Sequence, residues 1–218
     1  MTNDLIEFLD PALAPFEGIV AVGGSLTTTN LLRAYRRGVF PWPINEEILP
    51  WFCPETRAIL NFDDLHISRR LARLQRQNRF EFTIDKAFLA VIQSCATVER
   101  KDQSGTWITP RIIDAYCNLH EEGWAHSVEV WKDGSLAGGL YGVDSGGAFA
   151  GESMFTLVND ASKLALLHLL EHLKARGLGW IDIQMMTPHM AALGAKEIER
   201  DEFLQMLSSA QEQNLKLF

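Results

Sequence analysis

From residue 125 onward the chain breaks into three short runs of strand character. "AHSVEVWK", "SLAGGLYGV" and "AFAGESMF" are separated by the turn signals "DG" and "DSGG". Strand runs joined by short glycine turns predict an antiparallel meander. The period then becomes helical. Over 159–177, Leu166, Leu169, Leu170 and Leu173 fall on one face, Asn159 or Asp160 can start the helix, and Gly177 can stop it. "WIDIQMM" follows as a strand. The C-terminal half therefore predicts β-β-β-α-β, an α+β layered fold.

Upstream the elements are shorter. Residues 28–38 predict a helix with Thr28 or Thr29 as cap and Leu31, Leu32 and Tyr35 as its apolar stripe. "VFPWPINEEILPWF" is too rich in proline for regular structure. There Trp42 and Trp51 either pin a loop or line a binding surface. Residues 66–77, 85–96 and 110–122 predict helices. The first of these carries Arg69, Arg73 and Arg76 at i, i+4 and i+7, one basic stripe. A solvated face is the ordinary reading of such a stripe.

Composition changes this picture in two places. The chain has 218 residues, 47% of them hydrophobic, enough for a sizeable core. No apolar run reaches the roughly 18 residues of a membrane span, and the acidic N-terminus does not read as a leader. Cys53, Cys95 and Cys117 are odd in number and scattered, which points to a reducing compartment rather than a disulfide framework. The net charge of −8 argues against nucleic acid. The distribution does not: "HISRRLARLQRQNR", residues 66–79, holds five arginines and no acid, so one basic patch sits on an otherwise acidic body.

Three polar groupings are candidates for chemistry. "HLLEH", 168–172, has the order of a zinc-peptidase helix, but no third ligand is evident, and its face lies opposite the leucines. "IDIQ", 181–184, is more telling. On a strand, Asp182 and Gln184 share a side while Ile181 and Ile183 point away, and an acid and an amide on an apolar strand need partners or a substrate. Glu152 in "GESMF" poses the same question on a neighbouring strand, where Gly151 can mark a bulge. Glu152, Asp182 and Gln184 can converge beside apolar Met154, Phe155 or Phe149. Such a site suits a substrate with a cationic end and a hydrophobic side chain.

The runs "AYRRGVFPW", "HISRRL", "GTWIT", "HSVEVW", "LAGGLYGV", "GESMF", "ASKLALLHL", "IDIQ" and "LGA" come in an order and spacing that resemble the leucyl/phenylalanyl-tRNA–protein transferases, from about residue 18 to 205. The resemblance implies a small N-terminal domain, 1–60, and an acetyltransferase-like (GNAT-like) catalytic domain, 61–218. It implies a cytoplasmic, monomeric bacterial aminoacyltransferase with no metal and no cofactor. Such an enzyme moves Leu or Phe, and Met less well, from aminoacyl-tRNA to the N-terminal Arg or Lys of proteins, marking them for N-end rule degradation. Carried over residue by residue, Trp42 would hold the terminal adenosine. Leu140, Phe149, Ser153 and Met154 would form the side-chain pocket. Arg69, Arg73 and Arg76 would take tRNA phosphates. Tyr116, Glu152, Asp182 and Gln184 would form the polar active set. On chemical grounds, Gln184 can accept from the attacking amine while Asp182 braces its NH2, and Glu152 can orient the amine or pair with the acceptor's charge. The chain departs from the family pattern at Ser25 in "GGSL", Ile183 in "IDIQ" and Cys53 before Pro54, and it stops at Phe218. Two other readings compete. One is a coenzyme A-dependent acetyltransferase, against which the glycine-free link "TLVNDAS" counts. The other is a non-catalytic tRNA-binding module, which leaves "GESMF" and "IDIQ" unexplained.

Overall fold

The structure, a computed structural model, describes residues 5–45, 47–77, 79–98 and 106–218. The N-terminal elements are short. β1 (Ile19–Val22), β2 (Phe40–Pro41) and β3 (Pro50–Phe52) form an antiparallel sheet in the order β1-β3-β2. The proline-rich stretch expected to be irregular thus supplies two strands. Pro41 and Pro50 sit at strand ends, where a missing N–H is tolerated. Trp51 is fully buried and donates its indole N–H to Gly23 O at 3.0 Å. α1 (Thr28–Tyr35) starts one residue earlier than expected. Its cap is Thr27, whose hydroxyl accepts from Asn30 N at 3.2 Å.

The larger sheet has seven strands. β4 (Thr56–Asn61), α2 (Arg69–Gln75), β5 (Glu81–Ile84), α3 (Phe88–Thr97) and α4 (Pro110–Glu121) precede the meander. The meander is β6 (Ala125–Lys132), β7 (Ser135–Asp144) and β8 (Phe149–Thr156), antiparallel as its turns predict. Then come α5 (Ala161–Lys174), β9 (Trp180–Asp182), α6 (Pro188–Ala192), β10 (Lys196–Glu199) and α7 (Arg200–Glu212). The order is β10-β4-β9-β8-β7-β6-β5, so β4, which begins at Thr56, joins the large sheet although most of it precedes the boundary expected at residue 61. β8 and β9 are the parallel neighbours, and their register holds the single pair Ala150–Asp182.

Helices cover both faces. α3 and α4 pack on one side, with Tyr116, Tyr141 and Phe155 in a core shared with α1 and the small sheet. α5 packs on the other, where Leu166, Leu169, Leu170 and Leu173 are buried, as their spacing requires. The face of "HLLEH" is only partly solvent: Glu171 is exposed, but both histidines are partly covered. The His168 ring stacks on Phe82 at 4.9 Å, and His172 Nε2 lies 2.8 Å from Leu217 O. Burial lowers the pKa of both imidazoles. Among the described residues no group of His, Cys, Asp or Glu could hold a metal ion, and no helix is long and apolar enough to cross a membrane.

Candidate active site

The sheet is interrupted where β8 meets β9. On β8, Tyr141 faces Ser153 while Gly142 faces Gly151, so Glu152 is the extra residue of a β-bulge. A bulge re-aims the side chain it inserts. Glu152 leaves the strand's alternation and its carboxyl turns to the α4 side, where Tyr116 OH donates to Oε2 at 3.4 Å. The glycine that crowding requires is Gly142, not Gly151. A Cβ on Gly142 would lie 2.3 Å from Ala150 O and 2.5 Å from the Phe149 ring, whereas on Gly151 it would meet Asp182 O at 3.8 Å, an ordinary contact.

Asp182 and Gln184 come together by a different route from strand alternation. β9 ends at Asp182, and Gln184 sits in the left-handed region at φ 57°. That conformation costs an ordinary residue about 1–2 kcal/mol. It is held by Asp182 Oδ1, which accepts from Gln184 N at 2.9 Å, and by Ala58 N, which donates to Gln184 O at 3.1 Å. Gln184 Nε2 then donates to Glu152 Oε1 at 3.0 Å. This side-chain bond spans the two strands just past their one backbone pair. Asp182 therefore braces the backbone of Gln184, and the amide NH2 is committed to Glu152, not to Asp182 as the sequence reading had it.

Arg57, on β4, completes the set. Its Nε and Nη2 donate to the two oxygens of Asp182 at 2.8 and 2.7 Å, and its guanidinium lies 4.7 Å from the Phe40 ring centre and 4.4 Å from that of Phe203. Arg57 is 1% exposed, and its Nη1 has no hydrogen-bond partner among the described residues. Burial opposes its charge, but the Asp182 carboxylate outweighs burial and raises its pKa. On the far side of Glu152, Tyr116 OH makes a short hydrogen bond with Tyr35 OH. Burial, reinforced by the Glu152 charge, lifts both phenols well above their usual range, so both stay protonated. Burial also pushes the Glu152 carboxyl up to about 8, with Asp182 acting the same way, while Tyr35, Arg57 and Tyr116 pull against it.

Beside this network lies a cavity of about 450 Å³ between β7, β8, β9, α5 and α6. Leu140, Ser153 and Met154 line it, with Leu166, Leu169, Ile181, Ile183 and Met190, and Glu152 stands in its wall. Ile183 is thus part of the apolar wall and does not point away from the site. Phe149 does not line the cavity. It pairs with Asp144, packs under Gly142 and meets Phe218 at 5.6 Å. Trp42 is also outside the lining, stacked on Trp107 at 5.4 Å and 21°. Arg69 and Arg73 on α2 and Arg76 at its C-cap are all exposed, and Arg76 also donates to Ala72 O at 3.2 Å. Sequence reasoning missed Arg57, Tyr35, Trp107 and much of the cavity wall. The signal for Arg57 was present: an arginine at the start of the apolar run "RAIL" raises the same burial question as Asp182 in "IDIQ".

The model of the leucyl/phenylalanyl-tRNA protein transferase family matches residues 59–208, and that of its N-terminal domain matches 24–55. A protein of Maridesulfovibrio salexigens named leucyl/phenylalanyl-tRNA–protein transferase is 48% identical over 206 residues, covering 94% of this chain and 86% of its own. One of the same name from Azoarcus sp. is 50% identical over 195 residues, 89% of this chain and 83% of its own. The solved structure of L-PGS from Bacillus licheniformis overlays 71% of this chain and 51% of its own with TM-score 0.41 and 14% identity. The family model and the sequence relatives make the chain an aminoacyltransferase. The chain belongs to the leucyl/phenylalanyl-tRNA protein transferase family.

Proposed function

We propose that the protein transfers Leu or Phe, and Met less well, from aminoacyl-tRNA to the N-terminal Arg or Lys of proteins, acting as a monomer in the cytoplasm and marking its products for N-end rule degradation. The observation that carries this reading is the cavity itself. It is mostly apolar, has room for a Leu or Phe side chain with the adjoining ester, and opens on a network of one carboxyl, one amide and one ion pair. The splayed β8–β9 pair, with a meander before it and α5 between the two strands, supports an acetyltransferase-like architecture for the larger unit, which takes in β4 and so begins a few residues before the 61 expected from the sequence.

In the mechanism we draw, the donor's side chain fills the cavity and its ester carbonyl lies at the Glu152 wall. The α-amine of the acceptor has an unperturbed pKa near 8, close to that of Glu152. As the amine nitrogen bonds to the ester carbon, Glu152 takes one of its protons. As the ester C–O bond breaks, Glu152 returns that proton to the departing 3′ oxygen. Gln184 and Tyr116 hold the carboxyl in place, and Asp182 with Arg57 fixes Gln184. Trp42 takes the terminal adenosine. The test is incubation with Leu-tRNA or Phe-tRNA and peptides beginning with Arg, Lys or Ala. Transfer to the first two identifies the activity, and no transfer to any of them refutes it.

Two results are expected around this reaction. Met154→Ala lowers discrimination for Leu over Ala donors by about 1–3 kcal/mol, because methylenes lining a pocket set its selectivity. Unchanged relative rates for the two donors would remove Met154 from the pocket. Changing Arg69, Arg73 and Arg76 together to Ala weakens donor binding whatever the tRNA sequence. It also flattens the log–log salt dependence by roughly one unit per lost phosphate contact. A binding titration at several salt concentrations reads this, and an unaltered slope excludes the stripe.

A further inference from the structure

The cavity does not end at Met154. Met154 and His189 also line a second hollow of about 530 Å³, whose walls include Arg70, Asp160 and Lys163. Arg70 in turn lines a third hollow of about 280 Å³, together with Arg73, Arg79 and Lys132. Cations therefore run from the exposed face of α2 to the wall of the apolar cavity. Asp160 is the acid among them. It sits at φ 67° and makes no side-chain cap to α5; instead its two oxygens lie 2.8 Å from Arg70 Nη2 and 3.0 Å from Lys163 Nζ. One carboxylate thus draws two cations together, and the lining stays net positive. His189 Nε2 is buried at the junction of the first two hollows, with no hydrogen-bond partner among the described residues. Burial, with Lys163 beside it, holds the imidazole below its usual range, so the ring is neutral at pH 7 and can donate one hydrogen bond. The described hydrogen bonds and ion pairs of Arg70, Lys163 and His189 include none to Glu152, Gln184 or Asp182.

We infer that the middle hollow is a phosphate site, in which Lys163, Arg70 and His189 hold a backbone phosphodiester of the donor's single-stranded 3′ end. The inference rests on the reading of the donor as an aminoacyl-tRNA. An aminoacyl group seated in the apolar cavity is esterified to the last nucleotide. The preceding phosphates then leave the cavity rim along the cations that lead to α2. Charge-assisted bonds to phosphate are the strong class of such contacts, and the unpartnered His189 ring nitrogen at the junction can gain a partner there.

Two donors carrying the same aminoacyl group test it: a short RNA ending in CCA, and a 3′-aminoacyl adenosine without phosphate. In Lys163→Gln the KM for the RNA donor rises about tenfold. Its salt slope falls by about one unit. The KM for the adenosine donor stays within about twofold, and Lys163→Arg recovers most of the RNA donor's KM. Arg70 lines the middle hollow but not the apolar cavity, and Arg70→Gln shows the same donor-selective pattern. An equal change with both donors, or none with the RNA donor, overturns the site while leaving the proposed reaction standing. If the wild-type protein uses neither donor, the donor reading fails first and the site with it.

Discussion

Glu152→Gln lowers transfer to an Arg-starting peptide about ten- to a hundredfold while donor binding is kept. The carboxyl now receives two hydrogen bonds, from Tyr116 OH and Gln184 Nε2. A glutamine offers one acceptor oxygen and turns an NH2 toward the other donor, so one of these bonds is lost as well as the proton acceptor. The pH profile separates this from a loss of shape. In the proposed mechanism a neutral amine and an ionised Glu152 are both needed, and both titrate near 8. Below pH 7 the log of kcat/KM therefore climbs with a slope of about two, which drops to about one in Glu152→Gln. Equal slopes in the two proteins would remove Glu152 from proton transfer. Stability gives a second reading of the same group. The unfolded carboxyl releases its proton near 4.5 and the folded one near 8. The folded state thus binds more protons across that window, and stability falls as pH rises through it. In urea unfolding at pH 5.5 and 8.5, this part of the decline disappears in Glu152→Gln.

Arg57→Met destabilises the protein by about 3–5 kcal/mol, because it leaves the Asp182 carboxylate buried without its counter-charge. For a chain of this length that is roughly 10 °C in Tm. Lysine does not replace it. Two parallel N–H bonds to one carboxylate, with the guanidinium plane between two rings, need arginine's shape. The double variant Arg57→Met, Asp182→Leu recovers part of the lost stability, since no unpaired charge remains, but stays inactive because Gln184 loses the oxygen that holds its backbone. Urea midpoints for the two single variants and the double variant form the cycle. If the double variant is as unstable as the sum of the singles, the pair is not the unit described here.

The meander, α5 and the following strand were legible because each is set by local periodicity and turn chemistry. The convergence of Glu152, Asp182 and Gln184 was legible for a different reason, since each is a polar group on an apolar strand. How they converge was not. The bulge at Glu152 is fixed by the register of β7 against β8, and the left-handed turn at Gln184 by Asp182 and Ala58, which no single run of residues records. Phe149 shares the run of Glu152 and Met154, but the bulge shifts the alternation between them, so proximity in the chain did not place it in the cavity. The strands β2 and β3 were hidden by their prolines, which sit where a pairing N–H is dispensable. The partner of Arg57 was hidden by distance: it lies 125 residues away.

Arg57 joins three stretches of chain that are made at very different times. Its ring contacts are Phe40 and Phe203, and its carboxylate partner is Asp182. At the usual pace of synthesis, about 5–20 residues per second, roughly ten seconds or more pass between the emergence of Phe40 and that of Phe203. Through that interval the meander can already fold, yet the clamp around Arg57 lacks a side. A nascent chain on the ribosome therefore carries an unfinished candidate site until α7 docks, and the closing of the clamp is one of the last events of biogenesis.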